Sequence, residues 1–233
     1  LINSHFRDSF VSVTQMSANE MFLPNPDLPL LHTRRYEVRA FRMADDRFML
    51  RGVVCDEKPA GVYVSNDPDP LWMHLMVVDL EITYPAFVIE KASVEFKNHP
   101  HLGCTDITDH YKKLEGMSIS RGFNAKVKEL FAGPRGCTHI GALLSAMAPV
   151  AIQTGWSMRA FVVTTDADLD SSAAKDQRSR QFSGTINTCH MWAEDGDLVA
   201  TVKAGGEIEM PLSVSIRLRE LGRSEEEWDK FRG

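Results

Sequence analysis

The chain has 233 residues, 43% of them hydrophobic and 25% charged, an ordinary globular composition that is long enough to bury a sizeable core in one domain. Its 26 Lys and Arg against 32 Asp and Glu give a net charge of -6, which opposes the phosphate attraction on which nucleic-acid binding rests, so no nucleic-acid partner is expected. No run approaches the roughly 20 apolar residues of a membrane helix, and Leu1–Phe10 lacks the basic start and apolar centre of a signal peptide. No membrane partner and a cytoplasmic location are therefore expected, with an upstream targeting segment removed before Leu1 as the alternative.

Residues 1–30 are irregular and punctuated by Pro24, Pro26 and Pro29, the pattern of an arm rather than a core element, suited to wrapping a second copy in a homo-oligomer. Two extended runs follow, Arg35–Met43 and Phe48–Cys55, separated by Ala44-Asp45-Asp46-Arg47 as in a hairpin. Trp72–Ile82 and Ala86–Phe96, either side of Tyr84-Pro85, predict two more strands. After Asn98 the apolar spacing lengthens to three and four residues, through Ile107, Tyr111 and Leu114, then Phe123, Val127 and Leu130, then Ile140, Leu143, Leu144 and Met147. Three successive helices are predicted, the last kinked or ended by Pro149. Thr164–Gln181 reads as a surface loop. Phe182–Trp192 and Leu198–Lys203, flanking an Asp195-Gly196 turn signal, predict a second hairpin, and Ser224 caps a short charged helix over Glu225–Phe231. The fold class expected is α+β, an antiparallel sheet packed against a layer of about three helices. One domain spans residues 31–203, followed by a C-terminal extension over 204–233.

The most chemically loaded run is Gly136-Cys137-Thr138-His139, which opens the most apolar helical stretch and is echoed by Cys189-His190. Four scattered cysteines in a chain of this size favour free thiols or metal ligands over a disulfide framework. Thiolate and imidazole are preferred ligands of zinc and other divalent transition ions, so Cys137, His139, Cys189 and His190, with Cys104 as a further member, form one candidate site. The same residues support a metal-free alternative in which His139 or His190 activates a cysteine, and a structural one in which the cysteines merely pack as small apolar side chains. A second cluster, His99, His101 and Cys104, sits at a Pro100/Gly103 turn, where exposed loop histidines are the commoner outcome.

The first hairpin is dense in arginine. Arg35 and Arg39 share a strand face, with Arg34 and His32 at the strand start, which suits an anionic substrate, although Glu37 between them makes a solvated charged face the commoner explanation. Trp72 is a candidate pocket wall. There is no dinucleotide fingerprint, phosphate-binding loop or Gly-x-Ser-x-Gly elbow, so no nucleotide cofactor is expected.

Gly136-Cys137-Thr138-His139-Ile140, continuing through Leu143-Leu144 to Ala151-Ile152-Gln153-Thr154, resembles the hallmark of a bacterial family of uncharacterised proteins, domain-of-unknown-function family 2889. His32-Thr33-Arg34-Arg35, the strand ending Asp56-Glu57-Lys58-Pro59, Leu71-Trp72-Met73, Cys104 with Tyr111, Leu114-Glu115-Gly116, and Cys189-His190 ahead of Asp195-Gly196 agree with it in order. The resemblance spans about Leu31 to Val202 and implies no mechanism. The chain departs from it at His74, where the family tends to carry Arg, at Pro149, and in Met210–Gly233.

Taken together, these features suggest a small-molecule enzyme, a metal-assisted hydrolase or lyase acting on an anionic or acyl substrate. Cys137, His139 and His190 are its catalytic groups, Cys104 and Cys189 further ligands, and His32, Arg34, Arg35 and Trp72 its substrate contacts. The competing expectation is a non-catalytic ligand-binding or assembly protein.

Overall fold

The computed structural model describes residues 26–162, 182, 185–206 and 208–231. Four strands, β1 (Thr33–Ala44), β2 (Arg47–Lys58), β3 (Leu71–Thr83) and β4 (Ile89–Asn98), form an antiparallel sheet in the order β1-β2-β3-β4. The four predicted strands are all present, each a residue or more from its expected ends, and the turn at Asp45-Asp46 joins β1 to β2 as the hairpin signal requires. Alternation fixes the faces: Phe48, Leu50 and Val54 of β2 and Met76, Val78, Leu80 and Ile82 of β3 are buried, while the residues between them are more open.

A 3-10 run, Leu102–Leu114, packs on β4 and sends Tyr111 and Leu114 into the core. Helix α1 (Phe123–Phe131) lies against helix α2 (Thr138–Val162), which in turn covers β1, β2 and β3 with Ile140, Leu143, Leu144, Met147 and Ala151. The fold is α+β, as expected. Gly52 lets α2 come close: a Cβ there would lie 2.6 Å from the Met147 sulfur. Pro149 does not end α2, because it sits on the exposed side of the helix, where the lost backbone bond faces solvent and packing on both sides of it continues.

The second predicted hairpin is not formed among the described residues. Phe182 and Thr185 are helical, His190–Trp192 is a 3-10 turn, and Asp197–Lys203 is helix α3, capped by Gly196 and opened by Asp197. The Asp195-Gly196 signal thus marks a helix start rather than a strand reversal, and the acidic first turn and terminal Lys203 suit the helix dipole. The loop expected at Thr164–Gln181 lies outside the described residues, as does most of the N-terminal arm.

Contacts divide the chain into two compact units, one containing Leu30–Glu207 and the other Ile208–Arg232. Within the latter, helix α4 (Leu212–Glu220) is followed by the 3-10 segment Glu225–Phe231, where the Ser224 hydroxyl accepts the Glu226 N–H at 3.2 Å, the expected cap. Among the described residues no helix is long and apolar enough to cross a membrane.

Candidate functional site

The core face of the sheet ends in charge. Continuing the buried phase of β2 past Val54 gives Asp56, and running β3 back from Met76 gives His74. Strand register sets Arg34 opposite Asp56 and Asp56 opposite His74, so three polar side chains lie abreast on adjacent strands at one end of the sheet. Helix α2 delivers a fourth. Gly136 makes the approach possible, since a Cβ there would lie 2.5 Å from the Phe131 carbonyl oxygen. The Cys137 N–H then donates to the buried Tyr111 hydroxyl at 2.7 Å, and the Cys137 carbonyl accepts the first helical bond from Gly141 at 2.9 Å. His139, one residue into the helix, is carried down onto the sheet.

Everything converges on the Asp56 carboxylate, whose side chain is 3% exposed. Arg34 grips it with a two-bond fork, Nε donating to Oδ1 at 2.5 Å and Nη2 to Oδ2 at 2.6 Å. His139 Nε2 and His74 Nδ1 stand 3.0 and 3.1 Å from Oδ2, and His32 Nε2 stands 3.5 Å from Oδ1. The His74 and His139 rings stack with centroids 3.9 Å apart. On its other side His139 Nδ1 faces the Cys137 sulfur at 3.6 Å.

These contacts bias the charge states of Asp56, Arg34 and His139. The Arg34 fork holds the Asp56 carboxyl well below the usual carboxylate range against the opposing effect of burial, and the carboxylate in turn raises Arg34. Burial pushes His139 below the ordinary imidazole value, with the neighbouring His74 and Arg34 acting in the same sense and Asp56 opposing. The site therefore holds an ionised carboxylate beside a His139 biased to its neutral form, the state in which imidazole binds metals or accepts protons. Asp56, His74 and His139 each offer a ligand atom within 4.8 Å of the others, so this group is able to hold a metal ion. Two imidazoles and a carboxylate are a familiar donor set for divalent transition ions.

The residues singled out in the sequence divide sharply. His139, Cys137, Arg34 and His32 meet around Asp56. Arg35, adjacent in the strand and so on the opposite face, is 61% exposed at its side chain and bonds Glu57 at 3.0 Å, while Arg39 pairs with Glu37; this is the solvated charged face. Trp72 is half exposed and stands opposite Glu57, two residues before His74. Cys104 is half-buried in the 3-10 run, its N–H bonded to the His101 carbonyl at 3.0 Å, and His99 Nδ1 faces that same carbonyl at 2.8 Å. Cys189 and His190 are exposed at a short 3-10 turn. Among the described residues the three-ligand group includes none of Cys104, Cys137, Cys189 and His190. The donors missed by sequence reasoning are Asp56 and His74. Their signal was phase: both prolong a run of core-facing positions, where a charged or imidazole side chain is anomalous.

The fold and site together define an α+β protein with a carboxylate-histidine centre clamped between a sheet end and a helix N-terminus. The model of the family described as "Protein of unknown function (DUF2889)" matches residues 32–153, more than half of the chain, and the chain belongs to that family. The matched span contains His32, Arg34, Asp56, His74, Cys137 and His139. No curated protein and no solved structure matches the chain.

Proposed function

We propose that this protein is a small-molecule enzyme working through a divalent transition ion held by Asp56, His74 and His139, with hydrolase or lyase chemistry on an anionic or acyl substrate. The observation carrying this reading is the convergence of one buried carboxylate oxygen and two imidazole nitrogens from three separate elements. Such an ion lowers the pKa of a bound water or polarises a carbonyl. The chain's own residues do the rest. Arg34 locks the orientation of Asp56 and presents positive charge, His32 adds an imidazole at the open side, and Cys137 contacts the outer nitrogen of His139, the position from which a neighbouring group orients a ligand ring.

Elemental analysis of protein purified without a histidine tag tests this directly. One zinc, manganese, iron or cobalt per chain in the wild type, lost in both His74→Ala and His139→Ala, is the expected result. No metal in the wild type defeats the proposal. A second reading then takes its place, because Cys137, His139 and Asp56 form a continuous thiol-imidazole-carboxylate chain with links of 3.6 and 3.0 Å. In that reading His139 is the base for a Cys137 nucleophile. Loss of activity in Cys137→Ser without metal would mark it.

A further inference from the structure

Several of the large apolar residues left in solvent fall at the end of the sheet that carries the site. The connection from β2 to β3, which begins three residues after Asp56 and ends four residues before His74, exposes three consecutive large apolar side chains: Val62 at 52%, Tyr63 at 61% and Val64 at 54%. Trp72, two residues before His74, is 50% exposed, and Leu31, beside His32, is 73% exposed. These positions belong to the end of the sheet where β1 starts, β2 ends and β3 starts, the end that also carries Arg34, Asp56 and His74. The connection has internal order. The Val62 N–H reaches the Pro59 carbonyl at 3.4 Å, Asp69 N–H donates to the Asp67 carboxylate at 3.1 Å, and the Lys58 ammonium sits 5.8 Å from the Tyr63 ring centroid. Exposed apolar surface gathered beside a polar site is unusual on a monomer and marks a place where something binds.

Charge complementarity says what. The Arg34 fork balances the charge of Asp56, and the groups exposed beside that pair are His32 and the outer part of Arg34, each 38% exposed, with Lys58 at the start of the loop. Asp67 and Asp69 lie farther along the loop, and the groups next to the centre itself are the imidazole of His32 and the cations Arg34 and Lys58, to which any bound ion adds positive charge. The geometry points to an amphipathic organic acid as the occupant: a carboxylate head at His32, Arg34 and the Asp56 centre, and an apolar or aromatic body across Trp72 and Val62-Tyr63-Val64. This deepens the proposed enzyme reading by naming its substrate class, and it rests on the same site.

Calorimetry on the full chain with three probes tests it: 4-phenylbutyrate, acetate and 4-phenylbutan-1-ol. Phenylbutyrate is expected to bind at least about tenfold more tightly than acetate, the gain from burying a phenyl body. It is likewise expected to bind about tenfold more tightly than the uncharged alcohol, the gain from charge-assisted bonds to its head. Trp72→Ala and Tyr63→Ala, both at exposed positions, should collapse the preference over acetate while thermal melts and metal content stay as in the wild type. Equal binding of phenylbutyrate and acetate, or a preference that survives both substitutions, overturns the inference. So does a dimer seen by light scattering that Tyr63→Ala dissociates while no acid binds, since the patch would then be a contact between copies. Absence of metal in the same preparation defeats the metal reading alone, because calorimetry still answers for the acid.

Discussion

Arg34 and Asp56 form the most tightly held pair in the site, and their chemistry is specific. The carboxylate is buried and the guanidinium meets it through two parallel bonds, a geometry that a lysine ammonium cannot copy. Arg34→Ala is expected to lower unfolding free energy by about 1.5–3 kcal/mol, the cost of removing charge-assisted bonds from a buried acceptor, and Arg34→Lys to recover little of it; urea titration measures both. Sequence reading reached His32, Arg34, Cys137 and His139, each by residue type and spacing. Asp56 and His74 escaped it as donors because neither has its site partners beside it in sequence. Their partners arrive only across strands, and a lone carboxylate near the end of a strand looks like ordinary solvation until its facing is known.

At the level of elements, alternation made the strands legible and three- to four-residue spacing made α1 and α2 legible. The region after Phe182 was misread because an Asp-Gly pair serves equally to reverse a hairpin and to start a helix, and the seven residues of α3 are too few for periodicity to arbitrate. Two substitutions examine the packing of α2. Gly52→Val, which must displace Met147 and Leu143, should destabilise by about 1–3 kcal/mol, with Met147→Ala restoring part of the loss in a double-mutant cycle. Pro149→Ala restores a backbone donor within a continuous helix and should stabilise by about 1–3 kcal/mol in the same unfolding assay. The 3-10 run contributes Tyr111, whose phenol is pushed up to about 12 from 10.0 chiefly by burial. Between those values the folded state keeps a proton that the unfolded chain releases, so its contribution is intact below about pH 10 and falls as pH rises. Tyr111→Phe should remove this alkaline slope while costing about 1 kcal/mol at neutral pH for the acceptor lost to the Cys137 N–H.

For the molecule as a whole, an ion bound only by the folded state adds to stability by mass action. At a free concentration one hundred times its dissociation constant, the gain is about 2.7 kcal/mol, or about 5–10 °C in melting temperature for a chain of this size. Scanning calorimetry with manganese, cobalt or zinc should show that rise in the wild type, its reversal by a chelator, and its absence in His74→Ala.

The ties to Asp56 differ greatly in reach. Arg34 and His74 lie 22 and 18 residues from it, inside neighbouring hairpins, whereas His139 lies 83 residues away. On the ribosome, a nascent chain emerged only as far as β4 already carries Arg34, Asp56 and His74 in one meander, yet it lacks the imidazole that closes the centre. The group is thus incomplete in the growing polypeptide until the 3-10 run and α1 have been made and α2 has folded back, so the carboxylate-histidine centre closes only at a late step of the chain's own synthesis.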